Sequence, residues 1–150
     1  GAFSGCSSLA TLETPKFVSY LGAGAFYGCV KLSRISISET ITEIKKHTFY
    51  QCKALKTIEL PNGITAIHDD AFGRCSKLES VTMGNKLLSI GLGSFAYCEA
   101  LTKMIVPQSV KSIGCDAFYG SRNIKQIKLP KNCNRSSYYG ISSTTTVSYH

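Results

Sequence analysis

The residues of this chain best suited to chemistry are its seven cysteines, which could form disulfides, bind a metal or act as nucleophiles. Metal binding has no support, because no CxxC pair occurs and the three histidines accompany no ligand cluster. Five cysteines recur at one position with a constant step of 23 residues: Cys6, Cys29, Cys52, Cys75 and Cys98. Ser121 occupies the same position in the sixth unit. A position that accepts cysteine or serine requires a small side chain, and side chains that point the same way from stacked units fit disulfide geometry poorly. The pattern predicts buried thiols with a packing role.

Two cysteines lie outside that series. Cys133 replaces an aliphatic residue at a second repeated position, which predicts burial. Cys115 belongs to no apolar position and is expected in a turn, so it is the one thiol for which we predict reactivity, although the neighbouring Asp116 disfavours the thiolate. The sequence contains no nucleophile-elbow, zinc or phosphate-loop signature. We therefore expect no catalytic site, no cofactor and no metal.

The period of 23 residues extends well beyond the cysteines. Phenylalanine keeps the same step six times, at Phe3, Phe26, Phe49, Phe72, Phe95 and Phe118. Further apolar positions repeat in register with it, for example Ile35, Ile58 and Val81 at one of them. A single unit cannot enclose its own apolar side chains and buries them only against similar neighbours. The period predicts a solenoid of six stacked coils over residues 1–133.

Each unit reads A-F-x-x-C-x-x-L-x-x-I-x-I-P-x-x-I-x-x-I. The alternation in L-x-x-I-x-I, as in Leu32–Ile37, predicts a short strand with one face buried, and proline or its substitute ends that strand. The A-F-x-x-C-x-x-L segment has a spacing that suits a single helical or 3₁₀ turn. We expect right-handed coils with a parallel sheet on the concave face, and short helical or 3₁₀ turns or extended segments on the convex face. Equivalent residues should lie about 4.8 Å apart in neighbouring coils, so the phenylalanines should form an internal stack.

The segments AFYGCVKLSRISIS, TFYQCKALKTIELP, AFGRCSKLESVTMG and SFAYCEALTKMIVP resemble the BspA-like leucine-rich-repeat family. The resemblance covers residues 2 to about 133. The asparagine ladder of common leucine-rich repeats is missing, which agrees with the BspA-like type; its position holds Phe17, Thr40, Gly63, Lys86, Ser109 and Asn132. The resemblance implies a surface-exposed or secreted microbial protein that adheres to host cells, matrix proteins or other microbes, without catalytic residues.

The two ends of the chain differ from its repeats. The chain opens within a repeat, so we expect a fragment of a longer array whose N-terminal cap is missing. After Asn132 the period fails, and residues 134–150 are expected to cap the last coil or to link it to another domain. Within this segment the residues Thr144–Tyr149 predict a strand. Weak self-association through open solenoid ends is a further expectation.

Composition and charge limit the classes of partner. The chain is 43% hydrophobic and 17% charged, which excludes a disordered tail, and it has no apolar run of the roughly 18–20 residues needed for membrane insertion. The net charge of +8 is concentrated after Ala100, where Asp116 is the only acid and seven residues are basic: Lys103, Lys111, Arg122, Lys125, Lys128, Lys131 and Arg135. This basic end either attracts an acidic protein or sulfated glycan, or simply keeps a terminal coil soluble. Nucleic acid is not expected, because no recognised binding motif accompanies the charge.

Strand alternation places variable side chains on the outward face of the sheet. Eight of them are our candidate partner-binding residues: Arg34, Ser36, Thr57, Glu59, Thr82, Lys103, Ile105 and Lys128. Variable residues on a constant frame suit a recognition surface, and they equally describe an ordinary solvated face. Ile105 is either a contact anchor or an isolated exposed aliphatic residue. The sequence thus predicts a non-catalytic adhesion module for a protein or acidic glycan, with an intracellular protein–protein scaffold as the alternative.

Overall fold

The computed structural model describes residues 1–135 and 139–150, and these form stacked coils joined by two parallel sheets. We number the coils 1 to 6 by their phenylalanines, from Phe3 to Phe118. The main sheet contains β1 (Thr11–Glu13), β2 (Arg34–Ser36), β4 (Thr57–Glu59), β6 (Ser80–Thr82), β8 (Lys103–Ile105), β10 (Gln126–Leu129) and β12 (Thr146–Tyr149). The second sheet contains β3 (Glu43–Ile44), β5 (Ala66–Ile67), β7 (Ser89–Ile90), β9 (Ser112–Ile113) and β11 (Asn134–Arg135). The predicted solenoid is confirmed, and so is a strand near the end of the chain, at β12.

The main sheet follows the predicted register but is hydrogen-bonded in three groups: β1 with β2, β4 with β6, and β8 with β10 and β12. Strands β2 and β4, and likewise β6 and β8, lie side by side between these groups. Each strand is shorter than its L-x-x-I-x-I segment because the leucine still belongs to the preceding turn. The N–H of Leu32, for example, donates to the carbonyl of Cys29 at 3.0 Å. The second sheet is continuous across its five strands, whereas the sequence predicted short helical or 3₁₀ turns or extended segments outside the main sheet.

The prediction of a helical or 3₁₀ turn in A-F-x-x-C-x-x-L is wrong, because the described residues contain neither kind of helix. The cause is a left-handed backbone conformation two residues before and two residues after the phenylalanine. Both helix types require negative φ at every residue. The left-handed residues after the phenylalanine have φ between 56° and 74°: Gly5, Gly28, Gln51, Arg74, Tyr97 and Gly120. The segment is instead a series of tight turns.

These turns form a hydrogen-bonded column along the solenoid, in which the backbone N–H groups that bond between coils all point toward the next coil. The N–H of Phe26 donates to the carbonyl of Thr48, and the N–H of Gly28 to that of Tyr50, both at 2.8 Å. The intervening amides bond within the turn, as when the N–H of Cys29 donates to the carbonyl of Phe26. The backbone of the turn is thereby satisfied without a helix.

Hydroxyl groups perform part of the role of the missing asparagine ladder. The Oγ1 of Thr40 donates to the carbonyl of Val18 at 2.8 Å, and the Oγ of Ser109 donates to that of Leu87 at 2.7 Å. Each bond joins a coil to the one before it. Two of the six ladder positions therefore tie adjacent coils together through a short side chain.

The phenylalanines form the predicted internal stack. Successive ring centroids lie 5.2–5.9 Å apart with interplanar angles of 3–11°. The rings from Phe26 to Phe118 are buried, whereas Phe3 is 40% exposed because it has a neighbour on one side only. Offset stacking contributes roughly 0.5–1.5 kcal/mol per pair beyond burial.

We expect the Phe72→Ala substitution to lower the free energy of unfolding by roughly 3–5 kcal/mol, since a central coil cannot collapse around the cavity. Chemical unfolding followed by circular dichroism would measure the change. Phe3→Ala is the control and should cost clearly less, about 1–2 kcal/mol, because its ring is already partly in water. A loss below about 1 kcal/mol for Phe72→Ala would contradict a stack that stabilises the fold.

The repeated cysteines form a second column, parallel to the phenylalanines. Each thiol donates to the carbonyl of the phenylalanine one coil earlier: Cys29 to Phe3, Cys52 to Phe26, Cys75 to Phe49 and Cys98 to Phe72, at 3.0–3.2 Å. Ser121 donates to the carbonyl of Phe95 in the same way, at 2.7 Å. The predicted burial is confirmed from Cys29 onward, whereas Cys6 in the first coil is exposed. The position therefore selects a small donor that links adjacent coils.

Burial raises the pKa of the Cys52 and Cys98 thiols to about 12, and it raises the pKa of Cys75 well above its ordinary value. In the unfolded chain these thiols ionise near pH 8.5. The folded state then retains protons that the unfolded state has lost, so stability falls as the pH rises above about 8.5. Each such thiol contributes a decrease of about 1.4 kcal/mol per pH unit.

Urea unfolding of the wild type between about pH 8 and pH 10 measures this slope. Cys98→Ser is the matched variant. Serine can donate the same hydrogen bond, as Ser121 does in the next coil, and it does not ionise in this range. We expect its slope to be shallower than that of the wild type by one thiol, about 1.4 kcal/mol per pH unit. Parallel curves for the two proteins would contradict a buried, protonated Cys98.

Candidate partner-binding face

The outward residues of the main sheet form two rows across the coils. The first row contains Thr11, Arg34, Thr57, Ser80, Lys103, Gln126 and Thr146, and the second row contains Glu13, Ser36, Glu59, Thr82, Ile105, Lys128 and Ser148. Inward residues between them, such as Ile35 and Ile58, are buried. All eight candidate partner-binding residues lie in these rows and are exposed: Arg34, Ser36, Thr57, Glu59, Thr82, Lys103, Ile105 and Lys128. The structure thus places them on one surface, as strand alternation requires.

Two neighbouring grooves occupy the first half of this surface. One, of about 590 Å³, runs between coils 2 and 4 and is lined by Arg34, Lys56, Glu59 and Glu79 among others. The second, of about 580 Å³, is lined by residues of β1 and β2, including Glu13. Lys56 and Glu79 precede their strands, so the residue before each strand belongs to the same face as the two rows. Sequence alternation alone did not assign that position.

The exposed face of the second sheet, which the sequence did not indicate as a site, carries small side chains. A groove of about 610 Å³ there is lined by Ser89, Ser112, Gly91 and Gly114 among others. The two glycines permit close stacking, since an added Cβ at Gly91 would lie 2.6 Å from the backbone nitrogen of Asp69, and one at Gly114 would lie 2.5 Å from that of Leu92. Leu92 is half exposed at this groove.

Cys115, for which reactivity is predicted, also lines this groove and is exposed. It lies at the second sheet and not in the two rows of the main sheet. Its reactivity therefore stays a prediction without a link to the candidate partner-binding residues.

Tyrosine side chains cover the turns of the coils. The ring of Tyr50 stacks on that of Tyr27 at 5.3 Å and lies where a Cβ on Gly73 would be, and Tyr97 occupies the equivalent space over Gly120. Arg74 connects the two groups, since its Nε donates to the hydroxyl of Tyr50 at 2.9 Å and its guanidinium lies 4.7 Å from the centre of the Tyr97 ring. These contacts are intramolecular and shield the backbone of the turns.

The ion pairs among the described residues lie in coils 2 and 3. The Lys45 ammonium bonds Glu43, and the Nε2 of His68 lies 3.2 Å from the same carboxylate. The hydrogen bond from Lys45, followed by that from His68, holds the pKa of Glu43 below its ordinary value. Among the residues that the structure describes, no three histidine, cysteine or acidic side chains are grouped as metal ligands would be. The same residues include no helix with the length and hydropathy of a membrane span.

Comparison with known proteins identifies the repeat. The sequence matches the BspA type leucine rich repeat region in six copies, over residues 1–102 and 89–149. No curated protein sequence matches. The solved leucine-rich-repeat protein of T. pallidum is similar, with 28% identity and a TM-score of 0.76, over 93% of this chain and 72% of that one.

Two further solved structures share the fold. A leucine-rich-repeat protein from Bacteroides ovatus is 22% identical with a TM-score of 0.55, and a leucine-rich cell surface protein from Faecalibacterium prausnitzii is 15% identical with a TM-score of 0.57. Each match covers 99% of this chain, which spans only 57% and 62% of those two proteins. The family model matches nearly the whole of this chain, so the chain belongs to the BspA-type leucine-rich-repeat family.

Proposed function

We propose that the chain is a non-catalytic binding module of a cell-surface or secreted protein, and that it holds a macromolecular partner on its main sheet. The match to the BspA-type repeat supports a protein-interaction module. The same match and the description of the F. prausnitzii neighbour as a cell surface protein support the location. Adhesion to a host cell or to matrix protein is the activity that fits both.

The observation that carries this proposal is the contrast between the two faces of the main strands. Inward positions repeat the same apolar residue type, as at Ile35, Ile58 and Ile127, and they are buried. Outward positions on the same strands differ from coil to coil and are exposed. A solenoid fixes such variable side chains on a rigid frame, which reduces the entropy lost when a partner binds.

An intracellular scaffold would use the same face, so the alternative concerns location and not geometry. Antibody labelling of intact, unpermeabilised cells of the source organism separates the two. Labelling at the surface supports the proposal, and labelling only after permeabilisation contradicts it.

The double substitution Thr57→Glu and Thr82→Glu should weaken adhesion, because two larger acidic side chains would displace a partner from the middle of the face and would repel an anionic one. The assay counts host cells attached to a surface coated with the purified chain. We expect attachment to require at least about tenfold more protein than for the wild type, the change that corresponds to about 1.4 kcal/mol.

The matched control is Thr42→Glu with Ser112→Glu, which adds the same charge at exposed positions near the second sheet. This control should attach cells as the wild type does. Equal losses in both variants would contradict a role for the main sheet, and a wild-type chain that attaches no host cell and no matrix protein would contradict adhesion.

A further inference from the structure

The charge of the main sheet changes sign along the solenoid. The strands β1, β2, β4 and β6, with the residues that precede them, carry three acids and two basic residues: Glu13, Glu59, Glu79, Arg34 and Lys56. The strands β8, β10 and β12, with the residues that precede them, carry Lys103, Lys125 and Lys128 and no acid. The change falls at the point between β6 and β8 where one hydrogen-bonded group of strands ends and the next begins.

We call the exposed face of β8, β10 and β12 the basic section, defined by Lys103, Lys125, Gln126, Lys128, Thr146 and Ser148. Its strands belong to one hydrogen-bonded sheet, in which Lys103 lies beside Gln126 and Gln126 beside Thr146. In the other row Lys128 lies between Ile105 and Ser148. Hydrogen-bonded strands are about 4.8 Å apart, so ammonium, amide and hydroxyl donors follow one another at that interval.

The three ammonium groups are available to an external anion. The ion pairs among the described residues involve Glu43 and Asp70, which lie in coils 2 and 3. The only acid after Ala100 is Asp116, whose left-handed backbone places it in the turn preceding Phe118 and away from the main sheet. Lys103, Lys125 and Lys128 are all exposed. The positive potential of the basic section is therefore not cancelled within the chain.

We infer that the basic section binds a sulfated polysaccharide, an inference that rests on the proposed function and specifies its partner. Sulfate groups carry a permanent negative charge and accept hydrogen bonds, and sugar hydroxyls accept them from amide and hydroxyl donors, which is the set that this face offers. A flat row of such donors spans three strands, so it can contact several units of a polymer at once, and several weak contacts then act together.

The same face is poorly suited to the other acidic polymers. Protein hot spots are rich in tryptophan, tyrosine and arginine, and none of these occupies an outward position of β8, β10 or β12. Single-stranded nucleic acid needs aromatic rings on which bases stack, and the aromatic residue of these strands, Tyr149, lies in the inward row beside Leu129. Sequence-specific binding to double-stranded DNA requires an element that enters a groove, and a flat sheet face of lysines does not provide one.

The test is binding of the full chain to immobilised heparin, used as the sulfated probe, at an ionic strength of about 0.15 M. The variant Lys103→Glu with Lys128→Glu reverses the charge of the basic section. Because both side chains are exposed, thermal unfolding should show an unchanged fold. We expect the variant to bind heparin at least about tenfold more weakly than the wild type and with a reduced dependence on salt.

The matched control is Lys53→Glu with Lys86→Glu, which makes the same change in net charge at exposed lysines outside the main sheet. It should lose less than about threefold, the effect of net charge alone. An equal loss in the two variants, or a wild type that does not bind heparin, would overturn the inference.

Competition identifies the class of polymer. Soluble heparin should release the chain from the immobilised heparin, whereas desulfated heparin should not. Polyglutamate or single-stranded DNA should release the chain only at much higher concentration. Displacement by polyglutamate or DNA as readily as by heparin would overturn the sulfated polysaccharide in favour of an acidic protein or a nucleic acid. Cell attachment that persists while heparin binding fails would leave the proposed function standing and reject this inference alone.

Discussion

The whole structure depends on one constraint: equivalent side chains of neighbouring coils must pack on one another at the spacing of hydrogen-bonded strands. The phenylalanine rings meet it at 5.2–5.9 Å between centroids, and the cysteines meet it by bonding a carbonyl of the preceding coil. A larger or charged residue at either position would separate two coils along their full circumference. For this reason the interior repeats so strictly, while the outward rows of the main sheet vary from coil to coil.

The sequence was sufficient to predict the stacked coils, the phenylalanine column and the burial of most cysteines, because each follows from side-chain size and a constant period. It was not sufficient for the turns. A spacing of three residues suits a helix. Non-glycine residues such as Gln51, Arg74 and Tyr97 nevertheless adopt left-handed backbone conformations, which their residue types do not predict. Their cost is offset by the hydrogen bonds to the next coil, which appear only once the coils are stacked. The second sheet was not predicted because it too forms only between stacked coils. Strands of two residues are stable only as part of a long ladder.

The sequence predicted which side chains of the candidate face are exposed, and nothing more about that face. Alternation correctly placed residues such as Arg34 and Lys128 on the outer side, because the period of a strand is a property of the backbone. It could not show that the main sheet divides into hydrogen-bonded groups, nor that one group carries Lys103, Lys125 and Lys128 without an acid while the other two carry the three acids. The hydrogen bonds between strands are made by the backbone, which every residue type carries, so the residue pattern does not reveal the groups. The partner that we propose rests on that arrangement, so the repeat pattern alone does not specify it.

The column of turns gives the molecule a direction. Because every inter-coil amide there points the same way, each coil has a donating edge and an accepting edge at the turn, and the two edges are not interchangeable. Duplication of any stretch of 23 residues inserts a coil with both edges correctly oriented, so arrays of this kind can grow or shrink by simple genetic events without a redesigned junction. Two copies meeting through like ends would oppose N–H to N–H or carbonyl to carbonyl at the turns, so the turns favour contacts in which the coils of both copies run the same way.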